Sequence, residues 1–286
     1  MPIDTIERCG ITPYSYLDWK SRSIEGSGNG FLIRFDDMEL DSYRPGEFYD
    51  ELFLPDGTPR SIATTLIDKI SSLSLAELQQ RKQLAQSTLL RMGVTFNVYG
   101  DDQGTEKILP FDIIPRTIGD REWTQLERGL KQRIHALNLF LSDIYGRQQI
   151  LLDGVIPQEL IYSASGFLKP CMGLKPPQGI WCHITGTDLV RDRDGSWYVL
   201  EDNLRCPSGV SYVLENRRVM KSTFPRLFEK MQIRPVEDYP SRLLETLMYL
   251  APESTLDPTV VVLTPGIYNS AYFEHSFLAQ QMGVQL

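Results

Sequence analysis

Residues 186–203, GTDLVRDRDGSWYVLEDN, read as two alternating strands, and the Asp194-Gly195 pair between them is a strong signal for a tight antiparallel hairpin. Two registers follow from it. If those two residues form the loop, Arg193 faces Ser196 and Asp188 faces Glu201. If the loop is Asp192–Gly195, Asp188 faces Val199 and Glu201 is its diagonal neighbour. Either way Asp188 and Glu201 share a sheet face, and Asn203 joins them two residues on, because side chains alternate with period two. Opposed Cβ atoms lie about 4.5–5.5 Å apart and diagonal ones about 7–8 Å. Two carboxylates and an amide oxygen offer only hard oxygen donors, which suit Mg²⁺ and not zinc. The same alternation places Trp197 and Val199 with Glu201 and Asn203, so the acids are expected at the end of an apolar stripe, where a charge needs a partner. The following residues, CPSGVSY, predict a turn into a helix whose N–H groups at Ser208 and Gly209 would meet a metal-bound phosphate.

Composition bounds what such a hairpin can belong to. The chain has 286 residues, 42% hydrophobic and 23% charged, which excludes disorder, coiled coil and collagen. A net charge of −8 argues against nucleic-acid and anionic-membrane partners. Apolar runs such as VVVL at 260–263 are too short for a membrane span, and MPIDTIERCG has no apolar leader core, so a cytoplasmic protein is expected. Cys9, Cys171, Cys182 and Cys206 are far apart with no CxxC pair, which speaks against a zinc knuckle or a disulfide framework.

Along the chain, EGSGNG (Glu25–Gly30) resembles a phosphate loop but feeds the strand-like FLIRF where a helix is required, so it reads as an ordinary loop. Ile62, Leu66 and Ile70 mark a helix, and Ser74 with Glu77 forms a capping box for a second, with Leu78, Ala85, Leu89 and Met92 inward. Strand pieces follow between Thr95 and Ile118. A long helix is predicted from Asp120 to Tyr145, with Trp123, Leu126, Leu130, Ile134, Leu137, Leu141 and Ile144 on one face and Gly146 as its stop. His135 beside that stripe reads as a packing or surface residue. After the hairpin come a helix through Phe228, a linker RPVEDYP, and a helix over Ser241–Leu250. The strand TVVVL is of buried type, and a helix over Ser270–Gln281 closes at Gly283.

Asp188, Glu201 and Asn203, with Pro and Gly close behind, resemble the magnesium signature of ATP-grasp ligases. The longer wording HITGTDLVRD, DG, WYVLEDNLR and PSGVSYVLENRR is similar to the circularly permuted ATP-grasp family, type 2. YDELFLPDGTPR, TFNVYGDDQGTE, PFDIIPR, LNLFLSDIYG and LTPGIYNSAYFEHSFLAQQMGV add to it, from about Tyr49 to Leu286. The resemblance implies an α/β (mixed α+β) circularly permuted ATP-grasp fold and ATP-dependent ligation of a small-molecule carboxylate to an amine through an acyl phosphate. It implies Mg²⁺ and ATP as cofactors, with Asp188, Glu201 and Asn203 holding the metal. Arg205, Arg217 and Arg218 would be phosphate or carboxylate clamps, since a planar guanidinium suits those anions. His183 would line the nucleotide site, although a structural histidine is the simpler role.

The domain reading is an N-terminal extension over 1–48, an ATP-grasp portion over 49–235, and the start of a Rossmann-like domain over 236–286. Val284–Leu286 begins a second parallel strand. In the permuted family the rest of that domain and a lobe with phosphate-binding lysines follow, so the chain reads as an N-terminal portion, incomplete at its C-terminus and not expected to catalyse alone. The competing reading is a truncated, non-catalytic interaction module. A Mg²⁺-dependent phosphohydrolase lacks a visible nucleophile or base. No oligomeric state is implied.

Overall fold

The computed structural model describes residues 43–97, 106–108, 111–204, 207–252 and 254–286. Glu25–Gly30, Cys9, Arg205 and Cys206 lie outside the described residues, as does nearly all of the expected extension over 1–48. Residues 39–286 form one compact unit.

The unit begins with a loop-rich segment over residues 43–60. Asp50 organises it by accepting from the N–H groups of Leu52 (2.7 Å) and Phe53 (2.8 Å), and Phe53 packs with Ala63 and Ile67. Helix α1 (Thr64–Ser71) buries Leu66, Ile67 and Ile70, while Ile62 lies just before it and is exposed. Helix α2 (Leu75–Arg91) starts at the expected capping box: the Ser74 hydroxyl accepts from Glu77 N–H, and the Glu77 carboxylate accepts from Ser74 N–H at 2.8 Å. Its inner face is Leu78, Ala85 and Leu89. Strands β1 (Thr95–Asn97) and β2 (Glu106–Ile108) pair antiparallel.

Helix α3 (Asp120–Ile144) has the expected span, but of its apolar stripe only Ile144 is buried, and Trp123 is 39% exposed. The reason is its neighbours: the hairpin and the residues just before it meet α3 largely through polar groups. Glu122 accepts from Arg191 and from Trp197 Nε1 (2.8 Å), Arg133 Nε donates to Asp202 (2.7 Å), and Asn138 Oδ1 accepts from the N–H groups of Trp181 and Cys182. Gly146 follows the helix because a Cβ there would lie 2.6 Å from the Ser142 carbonyl. Short helices α4 (Gln149–Leu152) and α5 (Gln158–Tyr162) precede a stack of Tyr145 on Phe167 and Trp181.

Strands β3 (Gly186–Arg191) and β4 (Trp197–Asn203) form the hairpin. Helix α6 (Val210–Thr223) follows and packs on α2. The helix expected through Phe228 is in fact broken at the wholly buried Phe224, because Pro225 lacks an N–H and starts helix α7 (Pro225–Met231). Arg81 from α2 donates to the freed Thr223 carbonyl and lies over the Phe224 ring. Helices α8 (Tyr239–Tyr249) and α9 (Tyr272–Met282) pack on each other, and α9 ends at Gly283 with φ +71°, as a C′ glycine should. Val261 makes a parallel bridge to Gln285 across α9, and Val262 N–H donates to the Gln285 carbonyl at 2.9 Å. That segment is not buried, contrary to expectation: Val261 is 49% and Leu263 86% exposed, since no further strand or helix of the described chain covers them. Among the described residues no helix is long and apolar enough to cross a membrane.

Candidate functional site

The hairpin adopts neither of the two expected registers at its tip. Arg191 pairs with Trp197, Asp192 N–H donates to the Ser196 carbonyl (2.9 Å) and Gly195 N–H to that of Asp192 (2.9 Å). The loop is therefore the three residues 193–195, closed by Gly195 at φ +88°, the common type I turn followed by a left-handed glycine. A side chain there would also strike Tyr49, whose ring would lie 2.8 Å from the new Cβ. Tyr49 is in turn held against Arg191, whose guanidinium carbon sits 3.7 Å from the ring centre.

From that tip the regular ladder would set Asp188 opposite Leu200. Instead the register shifts between Asp188 and Leu189: Leu189 pairs with Val199, and Asp188 pairs with Glu201. Leu200 is the extra residue of a β-bulge. The bulge resets the alternation, and this corrects the expected stripe. Trp197 and Val199 lie on the α3 side with Asp202, whereas Asp188, Glu201 and Asn203 lie on the outer face with Val190, Tyr198 and Leu200. The outer face is open, with Leu200 65% and Tyr198 53% exposed.

Partners separate the acids. Asp202 accepts from Arg133 and from Thr187 Oγ1 (3.0 Å), and the Arg133 bond above all holds its carboxyl below the usual range. Asp188 and Glu201, directly opposed, form no ion pair with another described residue, and Glu201 accepts a 3.3 Å bond from Asn203 Nδ2. Like charges directly opposed on a sheet repel. A hard cation between them would remove that repulsion, and the all-oxygen donor set fits Mg²⁺. Among the described residues no cluster of three or more His, Cys, Asp or Glu side chains could hold a metal.

The remaining expected residues are scattered. Gly209, at φ +108°, caps α6, but its N–H is not free for a phosphate: it donates to both oxygens of Glu274, at 2.8 and 2.7 Å. Ser208 is exposed beside it. Arg217 donates to the Arg234 carbonyl (2.5 Å) and Arg218 faces Glu215 at 3.8 Å. Both stand two turns into α6, about 10 Å along the axis from its start. His183 lines a cavity of about 680 Å³ between α3 and α8 with His135, Cys182 and Tyr249, and its Nε2 is buried without a partner. Glu274 went unnoticed in the sequence because its partners are 63 and 65 residues away. Gly186, two residues before Asp188, lies against Pro207, where a Cβ would approach to 2.9 Å.

Residues 115–286 match the family described as circularly permuted ATP-grasp type 2. The chain belongs to that family. An uncharacterized protein of Synechocystis is 66% identical over 249 residues, covering 87% of this chain and 52% of that protein. An uncharacterized protein of Mycobacterium tuberculosis is 48% identical over 238 residues, covering 83% of this chain and 42% of its own length. A Frankia casuarinae protein named "Putative glutamate--cysteine ligase 2-2" is 38% identical over 248 residues, 86% of this chain and 28% of that protein. The chain thus spans about half the length of the Synechocystis relative and less of the others.

Proposed function

We propose that this chain contributes the metal-bearing part of an ATP-dependent ligase that joins a small-molecule carboxylate to an amine. The observation that carries the reading is the bulge-set opposition of Asp188 and Glu201, with Asn203 alongside, on an open face of a family member's hairpin. The name of the Frankia relative favours ligation over other ATP-grasp chemistry. Asp188, Glu201 and Asn203 would hold Mg²⁺, which when bound neutralises phosphate charge. The substrate carboxylate attacks the γ-phosphorus of ATP, ADP leaves, and the amine then displaces inorganic phosphate from the acyl phosphate to give the amide. Arg205, Arg217 and Arg218 remain candidate anion clamps, and His183 and Ser208 candidate nucleotide contacts. The Gly209 N–H would serve only if Glu274 left it.

The exposed Val190, Tyr198 and Leu200 beside the acids support a second lobe closing on this face, in keeping with the greater length of the relatives. On the same reading residues 49–235 form the ATP-grasp portion and 236–286 begin a Rossmann-like domain, which the parallel bridge between Val261 and Gln285 supports. The deciding experiment is a Mg²⁺-dependent nucleotide-binding titration of the protein as its gene encodes it. Glu201→Ala should weaken binding at least tenfold; unchanged binding removes the metal assignment.

A further inference from the structure

Glu274 is a buried carboxylate, 4% exposed, that the ligation chemistry does not use. It projects from α9 onto the start of α6, where Gly209 N–H donates to both its oxygens and Ser211 N–H to Oε2 at 3.0 Å. No cation among the described residues pairs with it; its counter-charge is the positive end of α6 itself. Tyr212 and Tyr239 stand close, and burial first, then the charge of Glu274, pushes both phenols up. The side chain is therefore buried and held in place by backbone N–H groups.

What it holds is the loop that leaves the metal-bearing strand. Only residues 204–209 separate Asn203 from α6. Two of its described residues are anchored: Pro207 lies against Gly186, the residue paired with Asn203, and Gly209 is bonded to Glu274. The second anchor comes from 65 residues downstream, on α9.

We propose that Glu274 is a positioning residue for the metal site: by holding Gly209 and Ser211 it fixes the end of β4 that presents Glu201 and Asn203. The assignment rests on the reading of Asp188, Glu201 and Asn203 as metal ligands. It also means that the Gly209 and Ser211 N–H groups at the start of α6 are already taken by a carboxylate.

The test is a Mn²⁺ titration of the protein as its gene encodes it, with free Mn²⁺ followed by electron paramagnetic resonance. Glu274→Ala should weaken Mn²⁺ binding about tenfold, the usual scale for losing a supporting partner of a metal ligand. Sodium formate, which returns a carboxylate to the vacated space, should restore most of that loss and leave the parent protein unchanged. Glu274→Gln keeps the side chain's size and folding but loses its charge and one acceptor, and should weaken binding roughly threefold. Binding within the error of the parent protein in both variants, or in Glu274→Gln alone should Glu274→Ala not fold, overturns the proposal, as does a loss in Glu274→Ala that formate leaves unchanged. Glu201→Ala in the same titration separates the two layers. If it alone loses Mn²⁺, only the positioning role falls; if it too binds normally, the metal reading falls and takes this role with it.

Discussion

Glu201 and Asp202 are consecutive, yet one faces open solvent opposite another carboxylate and the other is tied to a guanidinium and a hydroxyl. The difference predicts different behaviour on substitution. Asp202→Asn removes the charge-assisted bond to Arg133 and should cost about 1 kcal/mol, discounted because Arg133 is half-exposed. The folded carboxyl is depressed, so its contribution is present above the unfolded value near 3.9 and is lost as pH falls through the lower folded one. Thermal melts of Asp202→Asn and the parent protein should therefore differ at pH 7 and converge toward pH 2, with Mn²⁺ affinity unchanged. Glu215 has the opposite sign. Burial, only partly offset by Arg218, raises its carboxyl, and its Oε2 is buried without a partner. Its penalty is absent below the unfolded value near 4.3 and grows as pH rises through the raised one. Glu215→Gln should accordingly stabilise by about 1 kcal/mol at pH 8 and by nothing near pH 4, read from chemical denaturation at the two pH values.

At the scale of the element, the hairpin's bulge makes a prediction that regular alternation would not. Leu200 is the surplus residue, so deleting it lets Glu201 move one place along the strand and still face Asp188, with Asp202 toward α3 and Asn203 opposite Gly186. The Leu200 deletion should keep Mn²⁺ affinity within about threefold; a loss as large as that of Glu201→Ala would show that the bulge itself shapes the site. This hairpin also shows what can be read from a sequence. The turn was legible in Asp194-Gly195, and so was the convergence of Asp188 with Glu201. The face was not: alternation cannot reveal a residue that steps out of the ladder, so Trp197 and Val199 share a face with Asp202 and not, as alternation predicts, with Glu201 and Asn203. Capping is legible when local, as at Ser74 and Glu77, and invisible when distant, as between Glu274 and Gly209. The helix break at Phe224 was signalled by Pro225 but masked by the apolar pattern running across it.

Across the whole molecule, apolar exposure follows a pattern. Leu263, Ile267 and Tyr268 are 86%, 60% and 90% exposed beside the Val261–Gln285 bridge, and Leu286 is 49% exposed. A parallel pair joined at a single bridge, with open apolar residues on either side, has the surface of a sheet that other structure covers. The stripe of α3 is likewise only half-covered. The relatives have the length to supply such cover, since this chain spans 52% of the Synechocystis protein and 42% of the mycobacterial one. A second copy of the chain could cover the same surface. The 286-residue chain by itself should therefore associate as its concentration rises and bind a hydrophobic dye, both read by sedimentation velocity and dye fluorescence over a range of concentrations. Asp substitutions at Leu263 and Tyr268 should suppress both signals while leaving the cooperative melt in place, because neither side chain is packed in the fold. A chain that sediments as a monomer at every concentration and binds no dye would show that this surface needs no cover, and would remove the argument for a lobe or partner docking there.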